Sequence, residues 1–208
     1  MGNYEHLKDV PLWIIAFLIT AGFHEFGHAY MAHRFGDDTA ADAGRMTVNP
    51  LPHIDPIGLI FLIFMSISGF GVGWAKPVPV NPYNLRHPRR DMMFISLSGP
   101  VMNILLAGLF AIVYHIVPTA FDFATPIGRL LTIFLEINVI LAAFNLIPIA
   151  PLDGHAIVHG LLPEKAADWW EGTARYGFII LLVLLFSGYL WKILGPIMAW
   201  ILLLIRYP

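Results

Sequence analysis

VPLWIIAFLITAGFHEFGHAYMAHRF, residues 10–35, is an unbroken apolar run that carries His24, Glu25 and His28 in its C-terminal half. About twenty residues rising 1.5 Å each cross a hydrocarbon core of roughly 30 Å, so the run predicts a membrane-crossing helix. Outward from it, Met92–Val117, Ile127–Ala150 and Thr173–Leu190 are apolar and long enough to read the same way. Ile57–Trp74 is shorter and ends in Gly69, Gly71 and Gly73. Ile193–Ile205 follows closely after Leu190, and the sequence leaves open whether it spans.

Composition supports a lipid environment. The 208 residues are 58% hydrophobic and 12% charged, with a mean hydropathy of +0.71. A soluble domain has roughly a quarter of its residues charged, so the missing polar surface implies an exterior facing lipid. The six tryptophans mostly lie near stretch ends, as an interfacial belt places them. A net charge of −2 provides no basic footprint and argues against nucleic acid as a partner. Without cysteine there is no disulfide framework, thiolate metal site or cysteine nucleophile. The first eleven residues lack the basic start and small-residue cleavage site of a signal peptide, so the first helix is expected in the mature protein.

The expected fold is an all-α polytopic membrane protein. It is read as one membrane-embedded domain over 1–208, with a core of about 10–160 and C-terminal hydrophobic helices over about 173–206. Arg45–Pro50 and Pro77–Pro82 share a Val-Asn-Pro ending preceded by β-favouring residues. Each reads as a short strand closed by a turn, which predicts a small β element at the membrane edge of the transmembrane bundle.

His24-Glu25-Phe26-Gly27-His28 carries the chemistry. Residues four apart share a helical face, so His24 and His28 can chelate one ion while Glu25 acts on its water. Ionisable groups deep in an apolar helix are costly without partners, which favours function over packing. A catalytic zinc needs a third protein ligand and an open position. Asp153, in Asn145-Leu146-Ile147-Pro148-Ile149-Ala150-Pro151-Leu152-Asp153-Gly154, is a candidate, because two prolines interrupt a membrane helix there. Locally, Pro-Leu-Asp-Gly reads equally well as a surface turn with Asp153 solvated.

Three motifs in this order resemble the site-2 protease family of intramembrane metalloproteases: the HExxH, Ser98-Gly99-Pro100-Val101-Met102-Asn103, and Asn145 through Gly154. The resemblance covers about residues 10–160 and is to the short members without a PDZ or other regulatory domain. It implies one Zn2+ per chain held by His24, His28 and Asp153, with Glu25 as catalytic carboxylate. Asn145 would neighbour the reacting carbonyl. His155 stands where the family often has a small residue, which adds a polar neighbour without removing a ligand.

Topology then separates the two readings of Asp153. For it to meet the histidines, the first helix and the Ile127–Ala150 helix must run in the same direction. Met92–Val117 supplies the single return crossing, so Ile57–Trp74 is expected to be re-entrant. Arg34, Arg45, Lys76, Arg86, Arg89 and Arg90 then share one side with Lys165 and Arg175, leaving Lys8, Arg129 and Lys192 opposite. The positive-inside rule makes the charged side cytoplasmic, in a prokaryotic cell membrane, with the active site opening to the cytoplasm.

Asn103, buried in an apolar helix, needs a partner across helices, in either a structural or a site-supporting role. His53 reads as a loop residue or a hydrogen-bonding neighbour of the site. His155 and His159 form a second i, i+4 pair without an evident third ligand, and Glu136 is left unassigned. The resulting expectation is intramembrane hydrolysis of peptide bonds, with transmembrane proteins or peptides as substrates and the bilayer as partner. The rivals are a membrane di-iron oxygenase and a non-enzymatic metal transporter. Substrate, trigger and oligomeric state are left open.

Overall fold

The structure is a computed structural model that describes residues 8–67 and 73–207. Its first helix, α1 (Val10–Arg34), begins with Pro11 in the first turn, where the missing N–H costs nothing, and ends with His33 and Arg34 beside its terminal carbonyls. Gly36, at φ +99°, then turns the chain, a backbone conformation that glycine adopts without strain. A single turn, α2 (Thr39–Asp42), and α3 (Pro56–Ile67) follow. Two longer helices come next, α4 (Pro88–Ile116) and α5 (Pro126–Asn145), and the Thr125 side chain caps the latter at Gly128 N. The chain finishes with α6 (Asp153–Leu161), α7 (Glu164–Glu171), α8 (Ala174–Phe186) and α9 (Tyr189–Leu204).

Helices α1, α4 and α5 are each long and apolar enough to cross a membrane, as the first three long stretches predict. Within Thr173–Leu190 the helix α8 has only 13 residues, and α7 and α8 reach spanning length only as a pair bent by 59°. Helix α9 packs Leu190, Leu194 and Ile201 into a core with Ala107 and Ala111 of α4 and Val139 and Ala142 of α5. It reaches the C-terminal end of α4, where His115 Nε2 donates to the Arg206 carbonyl at 2.8 Å. Small residues at these contacts let the helix backbones approach closely.

The directions of the three long helices follow from their contacts. Asp9 and Arg129, at the starts of α1 and α5, form an ion pair at 3.0 Å, through proximity rather than a well-aligned hydrogen bond. Asn138 of α5 donates to Thr20 of α1 at 3.2 Å. These helices therefore run parallel. Helix α4 runs against them, setting Asn103 beside His24 and Ile95 beside His28. Among the described residues, α4 is the membrane-length helix that returns between α1 and α5.

Ile57–Trp74 doubles back. A Cβ on Gly58 would lie 2.2 Å from the Trp74 carbonyl oxygen, and the Phe61 and Trp74 rings sit 5.2 Å apart. The chain leaving α3 is thus back beside the start of that helix by Trp74. Gly69 and Gly71 lie outside the described residues.

The β element is not present: among the described residues there is no strand. Side chains take the backbone groups that a ladder would need. His53 Nε2 donates to Thr47 O at 2.9 Å, Thr47 Oγ1 accepts from Asn49 N, and Arg45 holds the carbonyls of Lys76 and Pro77. Pro77 and Pro79 have no N–H to donate. Thus β-favouring composition produces bends over 46–48 and irregular chain over 77–81, without pairing.

The same bonds tie the loop after α1 to the segment before α4. Single cysteines placed at Asp42 and Arg89, on this naturally cysteine-free background, should therefore label from the same face of the membrane. Labelling from opposite faces would refute the return of the Ile57–Trp74 segment.

Candidate metal centre

The His24 and His28 rings project from one face of α1 into the bundle, and both residues are buried with Glu25 between them. Their Nε2 atoms lie 3.0 Å apart. A hydrogen bond between them would need a proton on one of those nitrogens, but each ring already uses its other nitrogen as a donor. His28 Nδ1 donates to the Ile95 carbonyl at 2.7 Å, and His24 Nδ1 donates to Asn103 Oδ1 at 2.6 Å.

The Asn103 amide is oriented by a chain of bonds through the core. Asn138 Nδ2 donates to the Phe134 carbonyl at 2.8 Å, which turns its Oδ1 towards Asn103. Asn103 Nδ2 donates to that oxygen at 3.2 Å, leaving its own Oδ1 for His24. Both asparagines are 0% exposed. A helix carbonyl on α5 thus fixes the tautomer of His24 on α1 and aims the Nε2 lone pair inward. Outer partners of this kind orient the imidazoles of metal sites.

Asp153 is the first residue of α6 and closes the cluster. Its Oδ2 lies 3.2 Å from His24 Nε2 and 3.4 Å from His28 Nε2, and the atom is buried without a hydrogen-bond partner. Gly154 permits this placement, since a Cβ there would meet the Ile147 carbonyl at 2.3 Å. Helix α6 is braced by His155, which stacks on Trp170 and accepts from Trp170 Nε1 through its carbonyl at 3.0 Å. Three lone pairs therefore converge at the separations that an ion would bridge. Without a cation or a proton among them they repel one another.

Glu25 points to the neighbouring side of α1. Its Oε2 accepts from the Val78 N–H at 2.8 Å, and its carboxylate belongs to the same tight group as the two imidazoles. Gly99 leaves room for both rings: a Cβ there would lie 2.5 Å from His28 Nε2 and 2.6 Å from His24 Cε1. Gly27 similarly lets α1 and α4 approach, with the Ser98 carbonyl 2.9 Å from where its Cβ would be.

The predicted site residues are not all brought together. His24, Glu25, His28, Asn103 and Asp153 meet. Asn145 donates from its amide to Leu141 O within its own helix, and among the described residues no hydrogen bond joins it to the cluster. His53 is buried with Arg45 and Thr47 rather than against the histidine pair. Residue-level reading missed Asn138 and Val78. Asn138 carried the signal that marked Asn103, a lone amide in an apolar helix. A backbone N–H such as that of Val78 has no side-chain signature. The second histidine pair is not a centre of this kind, since His155 is committed to Trp170.

Fold and cluster together define a class: a protein with membrane-length helices whose bundle encloses a His-Glu-His group able to hold a metal. No family model and no solved structure matches the chain. Among curated proteins, it is 38% identical over 202 residues to "Putative zinc metalloprotease YwhC" of Bacillus subtilis, covering 92% of this chain and 90% of that one. It is 30% identical over 174 residues to "Putative zinc metalloprotease Rip2" of Mycobacterium tuberculosis, covering 82% of this chain and 65% of that one. "Zinc metalloprotease MJ0392" of Methanocaldococcus jannaschii is 23% identical over 190 residues, covering 88% and 45%. The chain belongs to the site-2 protease family of zinc metalloproteases.

Proposed function

We propose that this protein is an intramembrane zinc endopeptidase in which His24, His28 and Asp153 hold one zinc ion and Glu25 is the catalytic base. The observation that carries the reading is the orphaned Asp153 Oδ2, buried 3.2 and 3.4 Å from two imidazole nitrogens that are themselves 3.0 Å apart. A tetrahedral ion with ligands at about 2.0–2.2 Å has edges of roughly 3.3–3.6 Å, close to all three separations. The donor set, two histidines and a carboxylate without thiolate, is one that catalytic zinc uses.

Zinc held there supplies Lewis acidity, which polarises a peptide carbonyl and acidifies the attacking water. Glu25 takes the proton from that water and passes it to the leaving amine. Asn103 and Ile95 hold the Nδ1 protons, so His24 and His28 present Nε2 to the ion. The substrate must present its carbonyl in extended form, since in a helix that group is tied up in i to i−4 bonds. The unpaired, non-helical Lys76–Val80 chain beside Glu25 supports docking of an unwound transmembrane segment along it. Arg34, Arg45, Lys76, Arg86, Arg89 and Arg90 cluster at this end of the bundle, which supports a site opening to the cytoplasm.

The test is purified protein with a transmembrane-segment substrate. Cleavage should accompany one zinc per chain, stop on chelation and return with added zinc. Iron at two per chain would point to the oxygenase rival. Metal uptake into vesicles without cleavage would point to a transporter.

A further inference from the structure

Arg45 sits at a cost. It is 8% exposed, and among the described residues no carboxylate pairs with it. A buried unpaired guanidinium costs several kcal/mol unless its hydrogen bonds compensate. Its Nη2 lies 2.7 Å from the Lys76 carbonyl, 3.3 Å from that of Pro77 and 3.4 Å from His53 Nδ1. His53 is set to accept there because its Nε2 donates to Thr47 O, and its own carbonyl accepts from Lys76 N at 2.8 Å.

The segment gripped in this way runs directly past Glu25. Pro77 and Pro79 flank Val78, so Val78 has the one backbone N–H in that tripeptide, and it goes to Glu25 Oε2. A second grip lies beyond it. Buried Asp37 accepts from Asn81 N through Oδ2 and from Asn84 Nδ2 through Oδ1, each at 2.7 Å. Chain fixed at both ends presents a single donor to one carboxylate oxygen and leaves the other oxygen for the proton.

We propose that Arg45 is a positioning residue for Glu25, acting by holding the Lys76 and Pro77 carbonyls so that the Val78 N–H fixes the carboxylate. The inference rests on Glu25 being the base. It requires no contact between Arg45 and substrate or metal. Misplacing a reacting group by about 1 Å can cost on the order of 10²-fold in rate, and this arrangement opposes such a displacement.

The experiment is a double-mutant cycle on the full chain, with zinc content, melting temperature and kinetics measured for each variant. Arg45→Met should lower kcat by roughly 10- to 100-fold, with KM and zinc stoichiometry unchanged. Arg45→Lys, which keeps one donor within reach, should recover part of the loss. Replacing Val78 by its α-hydroxy acid, which removes the N–H and keeps the side chain, should reproduce the kcat loss. In a Glu25→Gln background Arg45→Met should lower the residual rate no further, because its effect passes through Glu25. A further loss there, loss of zinc, or a change confined to KM would overturn the proposal and leave Arg45 a structural residue. Wild-type cleavage by Glu25→Gln alone would instead overturn the base assignment itself, and the proposal with it.

Discussion

Glu25→Gln should lower turnover by about 10²- to 10⁴-fold, the usual contribution of a positioned general base. The substitution keeps the shape of the side chain and an oxygen that can still accept the Val78 N–H. It removes only the capacity to carry a proton. Zinc stoichiometry and membrane insertion should be retained, because the proposed ligands are His24, His28 and Asp153. Their Ala variants should lose zinc and activity together. Side-by-side metal analysis and kinetics of Glu25→Gln and Asp153→Ala distinguish the two roles. A Gln variant that cleaved at the wild-type rate would exclude Glu25 as proton carrier.

Gly99→Ala should weaken zinc binding without altering any ligand. The new methyl carbon would lie 2.5 Å from His28 Cε1 and Nε2 and 2.6 Å from His24 Cε1. Neither ring is free to swing aside, because the Nδ1 atoms are held by Ile95 O and Asn103 Oδ1. Relief must come from separating α1 and α4, and overpacking of this kind costs about 1–3 kcal/mol. The expected result is zinc affinity reduced by roughly 10- to 100-fold, the range seen when the orientation of ligands is disturbed. Gly108→Ala is the matched control on the same helix, since the nearest atom to its Cβ is Ile205 Cγ2 at 3.8 Å. Equal zinc affinity in the two variants would show that Gly99 does not set the ring positions.

Much of the architecture was legible because it is written in local patterns. Long apolar runs mark α1, α4 and α5, and the i, i+4 spacing places His24 and His28 on one face. Requiring parallel directions for α1 and α5 then selects a segment at Ile57–Trp74 that doubles back, as the contact of Gly58 with Trp74 shows. The β element failed for a local reason that was also visible. Prolines at 77 and 79 remove ladder donors on either side of the β-favouring Val78.

What the sequence by itself determined was the class of fold, the family, and the residue types available for a metal. These depend on hydropathy over a turn or a membrane thickness, and on motifs read within a few residues. Tertiary structure alone decided which of the candidates meet. Asn103 and Asn138 join a carbonyl of α5 to an imidazole of α1, and Asn145, although part of a motif, turns back on its own helix. Asp153 Oδ2 arrives between two Nε2 atoms only because Gly154 lets α6 start against the end of α5. Arg45, an ordinary loop arginine in sequence, is buried where it grips the chain beside Glu25. Such placements arise from close packing between residues far apart in the chain, where one Cβ more or less decides the geometry.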